Sequence, residues 1–268
     1  MRFTGALRSE FTKLTTTRMW WVLALILAVY VAFTAGALGA AFGGLFPGAQ
    51  DAGGLDGLHE LVYSVAVTVG YVFPVILGTL SVTGEVRHQT LTPTFLATPR
   101  RGTVLAAKLV TLFCFGIFYG VVALAASVAV GAPLLAAGDM ATGLDDAQTW
   151  LMFGRAMLAM GIWAIIGVGL GTLIPNQIAA IVVLLAFTQF VEPILRTVGM
   201  LVEGFAEIGR FLPGAAGDAL VGSSVFAVMS GPSSTGLLEW WQGGLVLLAF
   251  AAVAATIGAV TTWRRDVT

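Results

Sequence analysis

The sequence predicts an all-α membrane protein with six transmembrane helices, an amphipathic interfacial helix before the first of them and short re-entrant helices before the sixth. The first observation is composition: 58% of the 268 residues are hydrophobic and only 10% are charged, whereas soluble domains carry about 25% charged residues. The second is that six apolar runs approach the ~20 residues that a membrane-spanning helix needs. The third is that the basic residues fall mainly on one side of those runs.

Residues 1–18 are predicted to form the interfacial helix, lying on the inner membrane surface. Phe3, Leu7, Phe11 and Leu14 recur at spacings of four, four and three residues, which puts them on one helical stripe. No small-residue cleavage site closes a short apolar core here, so a secretory signal is not expected. A lipid-sensing anchor is the alternative to a helix that only steers the chain into the first span.

Six apolar runs are the candidate spans of a single transmembrane domain that takes in residues 1–268. Pro74 falls inside the second run and is expected to kink it, because proline leaves a backbone carbonyl without its partner. Lys108 falls near the cytosolic end of the third, from which a lysine can snorkel to the interface. Residues 175–177 are expected to form a tight turn between the fourth and the fifth. In order, the predicted spans are residues 20–42, 62–82, 104–130, 151–174, 178–195 and 243–263.

The stretch before the sixth span, residues 196–241, is predicted to be an outer loop. It is semi-apolar and rich in Gly and Pro, and its apolar pieces at residues 205–212 and 215–229 are too short or too interrupted to span. Short re-entrant or interfacial helices fit this pattern better than a disordered loop does.

The basic residues set the predicted orientation. Ten of the 13 Lys and Arg residues fall on one side of the spans, against three of the 14 Asp and Glu residues. By the positive-inside rule that side is cytoplasmic, so we expect a multi-pass protein of the cell membrane with both termini in the cytoplasm. The ten basic residues are Arg2, Arg8, Lys13, Arg18, Arg87, Arg100, Arg101, Lys108, Arg264 and Arg265.

Little in the sequence suits catalysis or metal binding. His59 and His88 are the only histidines, and because the predicted topology puts them on opposite sides of the membrane, they cannot gather a metal together. No phosphate-binding GxxxxGK motif occurs, so we do not expect the chain to hydrolyse ATP. Gly167, Gly169 and Gly171 lie inside a span, where glycine allows close helix packing. We therefore expect no catalytic residue, metal or cofactor in this chain, and no nucleic-acid partner.

A polar interruption at residues 84–101 is the candidate functional segment. It connects the second and third spans and is far longer than the turn at residues 175–177, although both join adjacent spans. It combines charged residues with the apolar Leu91, Phe95 and Leu96, a mixture that suits docking into a groove on another protein. A solvated loop held by anionic lipid is the alternative.

Charged residues inside the spans are few and lie near the span ends. Glu192 and Arg196 stand four residues apart at the outer end of the fifth span, a spacing that puts them on one helix face for an ion pair. A snorkelling, paired interfacial carboxylate is the favoured interpretation of Glu192, and contact with a transported substrate is the alternative. The lack of an acid or base deep in the spans argues against an ion-coupled carrier.

Four stretches together resemble the membrane subunits of ABC-2 type transporters, which are the permease partners of a separate ATP-binding-cassette ATPase. They are SEFTKLTTTRMWW before the first span, GEVRHQTLTPTFLATPRRGTVLAAKL after the second, LGTLIPNQIAAIVV between the fourth and fifth, and FLPGAAGDAL in the outer loop. The second stretch is similar to actinobacterial members. Two departures are Gln89, where a glycine often stands, and Ile174 with Pro175, where a basic residue often precedes the asparagine.

The resemblance implies a half-transporter that pairs with a second copy or a paralogue, among membrane lipids, and with two ATPase subunits that bind ATP and Mg. It also implies export of a hydrophobic or amphipathic compound such as a drug, an antibiotic, a peptide or a lipid-like molecule. Glu192, Arg196 and Pro213 would then lie along the substrate path or at an outer gate. The residues expected to couple to the ATPase are Glu85, Arg87, His88, Thr90, Pro99, Arg100 and Arg101.

Two other classes of function are alternatives. An ion-coupled secondary carrier would transport as a purified chain, driven by an ion gradient and indifferent to ATP. A non-transporting membrane scaffold or immunity protein would bind no ATPase and move no substrate.

Overall fold

Helices form all the regular secondary structure in the part of the chain that the computed structural model describes. That part comprises residues 3–42, 57–97, 100–201, 205–223 and 238–261, and it contains no strand. The predicted fold class, an all-α membrane protein, is confirmed. The helices are α1 (Phe3–Thr15), α2 (Met19–Phe42), α3 (Leu58–Thr68), α4 (Val72–Arg87), α5 (Leu91–Ala97), α6 (Arg101–Ala137), α7 (Ala147–Leu173), α8 (Gln177–Ala186), α9 (Glu192–Leu201), α10 (Phe205–Gly209), α11 (Pro213–Val221) and α12 (Trp240–Thr261).

Six helical segments of the described chain are long and apolar enough to cross a membrane, as the sequence predicts. Their mean hydropathy over the most apolar stretch lies between 1.7 and 2.3. The segments are Met19–Phe42, Leu58–Arg87, Arg101–Ala137, Ala147–Leu173, Gln177–Gly199 and Trp240–Gly258.

The second span is broken rather than kinked, which corrects the expectation for Pro74. Helix α3 ends at Thr68 and α4 begins at Val72, so Pro74 lies in the first turn of α4. Because proline has no N–H, it cannot bond back across the break. The N–H of Phe73 donates instead to the carbonyl of Gly70 at 3.1 Å, in a tighter turn. The span is therefore two helices joined end to end.

Several helices run past the ends predicted from hydropathy. Helix α4 continues to Arg87 and α6 begins at Arg101, so both ends of the predicted polar segment are helical and residues 88–100 join the helices. Helix α6 also continues to Ala137 across Pro133, where a loop from residue 131 was expected. A helix needs only its backbone hydrogen bonds to continue, whereas a hydropathy profile ends at the first charges.

The fifth span begins at the predicted tight turn and ends later than predicted. Asn176 caps α8, since its side chain accepts hydrogen bonds from the N–H groups of Ile178 and Ala179 at 3.0 and 3.1 Å. A π-helical segment, Phe187–Val191, joins α8 to α9. Because α9 runs to Leu201, the predicted start of the outer loop at residue 196 is wrong by more than a turn of helix.

Two short helices, α10 and α11, precede the sixth span, where short helices were predicted. Helix α11 is buried along most of its length against α3, α7 and α12. That α10 and α11 are re-entrant stays a prediction. Residues 224–237 and 262–268 lie outside the described residues, and the latter include the predicted end of the sixth span at residue 263.

The bundle is assembled around α7, which packs against α4, α6 and α12. Its crossing with α4 is so close that a side chain at Gly78 would overlap the carbonyl oxygen of Ala164, and one at Gly167 would overlap that of Val75. The hydroxyl of Thr79 donates across this crossing to the Gly167 carbonyl at 3.1 Å. These contacts support the packing interpretation of the span glycines.

Replacing Gly78 by Ala is therefore expected to destabilise the bundle by about 1 to 3 kcal/mol, because the new methyl group overpacks the α4–α7 crossing. The matched control is Gly154→Ala in α7, where a Cβ would meet nothing within 4 Å and where alanine improves helix propensity by about 1 kcal/mol. Thermal unfolding of the detergent-solubilised protein measures both. Equal melting temperatures for the two variants would contradict the packing described here.

Candidate functional site

Four charged side chains meet at one end of the bundle, where α1, α4 and α6 converge. Glu10 and Lys13 come from α1, Glu85 from the last turn of α4 and Lys108 from the second turn of α6. We call this set the charge quartet. Its nitrogen–oxygen distances are 2.6 Å for Lys13 with Glu10, 2.8 Å for Lys13 with Glu85, 2.6 Å for Lys108 with Glu10 and 3.2 Å for Lys108 with Glu85.

Three members of the quartet are buried, Lys13 is about a third exposed, and the charges alternate. Lys108 is 2% exposed and Glu10 is 3% exposed, and ions so far from water are tolerated when each finds opposite charge. Burial opposes ionisation of Glu10, but Lys108 and Lys13 outweigh it and hold the pKa of this carboxyl below its ordinary 4.5. Burial likewise opposes the charge on Lys13, but Glu85 and Glu10 raise the pKa of its ammonium above the ordinary 10.5. Glu10 and Lys13 are thus ionised at neutral pH.

The quartet changes the interpretation of α1 and of Lys108. The face of α1 that packs on the bundle is formed by Ala6, Glu10 and Leu14, whereas Phe3 and Phe11 of the predicted stripe are about half exposed. Lys108 does not snorkel to the interface as expected but points into the quartet. Sequence reasoning missed Glu10 as a site residue. The available signal was that Glu10 is the first acidic residue of the chain and stands four residues from Ala6 and Leu14.

Helix α4 is followed by a residue in the left-handed backbone conformation, Gln89. The N–H of Thr90 donates to the Glu85 carbonyl at 3.0 Å and that of Gln89 to the Val86 carbonyl at 3.2 Å, which is the Schellman pattern of a helix C-terminus. Gln89 has φ of 53°, a conformation that glycine adopts at least cost. The glycine that the resemblance leads one to expect here would therefore suit the backbone.

The predicted coupling residues divide into a buried one and several exposed ones. Glu85 is buried in the quartet, while Arg101 is half-buried with its guanidinium 5.0 Å above the Phe95 ring. The side chain of Leu96, on α5, is 79% exposed. Pro99 lies outside the described residues. The exposed residues are Arg87, His88, Thr90 and Arg100.

Arg87 connects this segment to the turn between the fourth and fifth spans. Its Nη1 donates to Oε1 of Gln177 at 3.3 Å, next to the Asn176 cap. The two connections that the predicted topology assigns to the cytosol therefore touch each other.

A second polar cluster lies at the opposite end of the bundle, where α9 meets α11. Arg196 lies 3.5 Å from Glu192, as the four-residue spacing predicts, and 2.8 Å from Asp218. Asp218 also accepts a hydrogen bond from the Thr68 hydroxyl at 3.2 Å. Glu192 accepts from the N–H of Ala215 at 3.1 Å, so it caps the start of α11.

The surroundings of Glu192 differ from those predicted. This residue is 2% exposed rather than snorkelling to the interface, and there is no room for a side chain at Gly214, where a Cβ would overlap the Glu192 carboxylate. Pro213 is the first residue of α11 and brings that glycine into place. Asp218 was missed because it lies 22 residues from Arg196, and no local spacing connects the two.

The irregular backbones of the second and fifth spans meet beside this second polar cluster. Tyr71, at the break between α3 and α4, donates through its hydroxyl to the carbonyl of Thr188 in the π-helical segment at 3.5 Å. The Tyr71 ring also stacks on Trp163 of α7, with ring centroids 4.4 Å apart.

Metal binding finds no support in the described residues, which contain no group of three or more His, Cys, Asp or Glu side chains placed to hold an ion. His59 and His88 lie at opposite ends of the second span.

Comparison with known proteins gives one family. A family model described as ABC-2 family transporter protein matches residues 6–191. The match takes in the charge quartet and the segment between α4 and α6, and it ends one residue before Glu192. No curated protein matches the chain.

Replacing Lys108 by Gln is expected to cost about 3 to 5 kcal/mol of stability, because it leaves two buried carboxylates with Lys13 as their remaining quartet partner. The exposed Arg8 of α1 supplies the control Arg8→Gln, which we expect to stay within about 0.5 kcal/mol of the parent. Adding Glu10→Gln to Lys108→Gln should recover part of the loss. Thermal unfolding in detergent measures all three, and a Lys108→Gln variant as stable as Arg8→Gln would contradict the quartet.

Proposed function

The chain belongs to the ABC-2 transporter family, and from this premise we propose that it is the permease subunit of an ATP-driven exporter of a hydrophobic or amphipathic compound. It is a multi-pass membrane subunit that works with an ABC ATPase. In the complete assembly two ATPase subunits bind ATP and Mg, and a second permease, identical or paralogous, completes the path. The assembly lies in the cell membrane with both permease termini in the cytoplasm.

The segment between α4 and α6 is the observation that carries this proposal. Helix α5 is short and presents the exposed Leu96, and the exposed Arg87, His88 and Arg100 flank this helix along the chain. An exposed leucine among basic residues is costly to keep in water and suits an apolar groove with an acidic rim on a partner. The turn at residues 174–176 connects the next pair of spans without such a helix.

The charge quartet supplies a route by which movement of α5 reaches the bundle. Glu85 is followed by the turn that leads into α5, and it binds Lys13 of α1 and Lys108 of α6. Helix α4 in turn packs through its glycines on α7. A push on α5 by the ATPase therefore acts on α1, α4 and α6 together, so Glu85 transmits force rather than touching the partner.

Helix α11 is the proposed outer gate. Glu192 holds its first turn, and Arg196 and Thr68 hold Asp218 in its middle. Release of these contacts would detach α11 from α9 and α3 and open the outer end of the bundle.

The nature of the cargo follows from the charge distribution. The buried charged side chains of the described spans belong to the quartet or to the polar cluster at the opposite end, and Arg155 of α7 lies over the Trp240 ring. The stretches between the two clusters are mostly apolar. An apolar path favours compounds that are themselves apolar or amphipathic, including drugs, antibiotics, peptides and lipid-like molecules.

Changing Leu96 to Lys is expected to weaken binding of the partner ATPase by at least about tenfold, since burying a leucine contributes roughly 1.5 to 3 kcal/mol. Arg87→Glu should weaken it similarly by reversing an exposed charge. Leu96→Met and Arg87→Lys are the matched controls that keep the apolar and the basic character. The measurement is the dissociation constant between purified permease and ATPase in nanodiscs.

All four variants should unfold at the temperature of the parent, because neither side chain is buried. Unchanged ATPase affinity in Leu96→Lys and Arg87→Glu would contradict the docking role of α5. Transport by the permease alone, driven by an ion gradient and indifferent to ATP, would contradict the proposed function itself.

Neutralising Arg196 to Gln is expected to speed hydrogen exchange of the α11 amides by at least about tenfold, because Glu192 and Asp218 lose the charge between them. Adding Asp218→Asn should restore part of the protection. In the wild-type assembly held with a non-hydrolysable ATP analogue, α11 should exchange faster than without nucleotide. Identical exchange in the two nucleotide states would contradict a gate, even if Arg196→Gln loosens the helix.

A further inference from the structure

A cavity of about 510 Å³ lies beside the charge quartet, between α1, the last two turns of α4 and the start of α8. This volume is in the range of about 300 to 1,000 Å³ typical of small-molecule sites. Its inner end is bounded by Glu10, Glu85 and Lys108, and its other end by the exposed Arg87 and His88. The cavity is thus closed by buried charge on one side and open beside the predicted docking segment on the other.

One buried oxygen of the cavity wall lacks a hydrogen bond. Oε1 of Glu85 is shared by Lys13 at 2.8 Å and Lys108 at 3.2 Å. Oε2 of the same carboxylate is buried and has no partner in the described part of the chain. A buried acceptor without a donor is unfavourable, so this oxygen points to a ligand that brings a donor into the cavity.

The charges around the cavity decide what kind of donor fits. By formal charge the wall holds three cations, Lys13, Arg87 and Lys108, and two carboxylates, Glu10 and Glu85, which leaves one positive charge. A ligand ammonium at Oε2 would be repelled by the two lysine ammonium groups already bound to Oε1, whereas a neutral hydroxyl would not be repelled. The positive balance at the mouth favours an anionic group in the same ligand.

The remaining wall is apolar and lies at the level of the membrane surface. Leu14, Met19 and Leu80 line the cavity, and Met19 is the first residue of the first span. In the predicted topology this is the level of the inner-leaflet headgroups. A ligand that enters here can keep an apolar tail beside these side chains.

We propose that the cavity binds the headgroup of an anionic phospholipid that carries a hydroxyl. The phosphodiester lies by Arg87 and His88, the hydroxyl donates to Oε2 of Glu85, and an acyl chain begins along Leu14, Met19 and Leu80. The proposal does not rest on the ATPase, because the site is formed by this chain alone. A lipid bound beside the quartet would stabilise the coupling segment.

The test is native mass spectrometry of the full-length permease in detergent, titrated with three dioleoyl lipids. Phosphatidylglycerol has the anionic phosphodiester and the hydroxyls, phosphatidylethanol has the phosphodiester alone, and phosphatidylcholine is zwitterionic. We expect phosphatidylglycerol to bind at least about tenfold more tightly than phosphatidylcholine, with phosphatidylethanol between them. Equal binding of phosphatidylglycerol and phosphatidylethanol would overturn the assignment of Glu85.

Gly84 offers a variant that fills the cavity without touching a charge. It lines the cavity and a Cβ there would meet nothing within 4 Å, so Gly84→Leu should fold and lose the phosphatidylglycerol preference. Gly102 at the start of α6 is equally open but does not line the cavity, so Gly102→Leu is the matched control and should keep the preference.

Glu85→Gln tests the hydroxyl contact itself. The variant keeps one acceptor for the lysines but puts a donor at the Oε2 position, so phosphatidylglycerol and phosphatidylethanol should bind it equally, both above phosphatidylcholine. The proposal is overturned if Gly84→Leu and Gly102→Leu bind lipid alike. It is also overturned if no lipid is preferred and Gly84→Leu alone abolishes ATPase binding, since the cavity would then receive a side chain of the ATPase.

Discussion

A charged side chain that leaves water must find opposite charge, and this requirement fixes the end of the bundle where α1, α4 and α6 converge. Glu10 and Lys108 are almost completely buried, so neither is tolerated unless α1 lies against α6. Glu85 then joins the end of α4 to both. The quartet holds α1, the end of the second span and the start of the third span together. The chain between α4 and α6 begins and ends next to this contact. A helix that sequence alone assigns to the membrane surface is in this way joined to the proposed coupling segment.

At the opposite end of the bundle the same requirement for paired charges is met by three side chains. Arg196 lies between Glu192 and Asp218, and these contacts hold the short α11 against α9. Between the two ends the helices are held by close glycine packing, most tightly where α4 crosses α7. A protein with charged contacts at both ends and a rigid crossing between them can pass a displacement from one end to the other. The proposed export cycle uses this: force enters at α5 and α11 yields.

The sequence is sufficient for the fold class, the existence of six spans, the helix α1 and the long connection between the second and third spans, because each depends on local composition or spacing. It is insufficient for the quartet, since Lys108 is 98 residues from Glu10 and 23 from Glu85. Only the packing of α1 on α6 reveals that Lys108 is buried. The same holds for Asp218, which acquires its role when α11 folds back on α9. The sequence predicts a kink at Pro74 and not a break at residues 69–71, because a proline identifies the affected turn but not which residues leave the helix.

The quartet should make α1 and the coupling segment move as one body. The distance between spin labels at the exposed Thr12 and Thr92 measures this, in a background with Cys114 replaced by Ser, with and without the ATP-bound ATPase. We expect one narrow distance distribution that is the same in both states, and a broad one when Lys108 is replaced by Gln. A wild-type distance that shifts on ATP binding, or a Lys108→Gln distribution as narrow as the parent's, would contradict this role of the quartet.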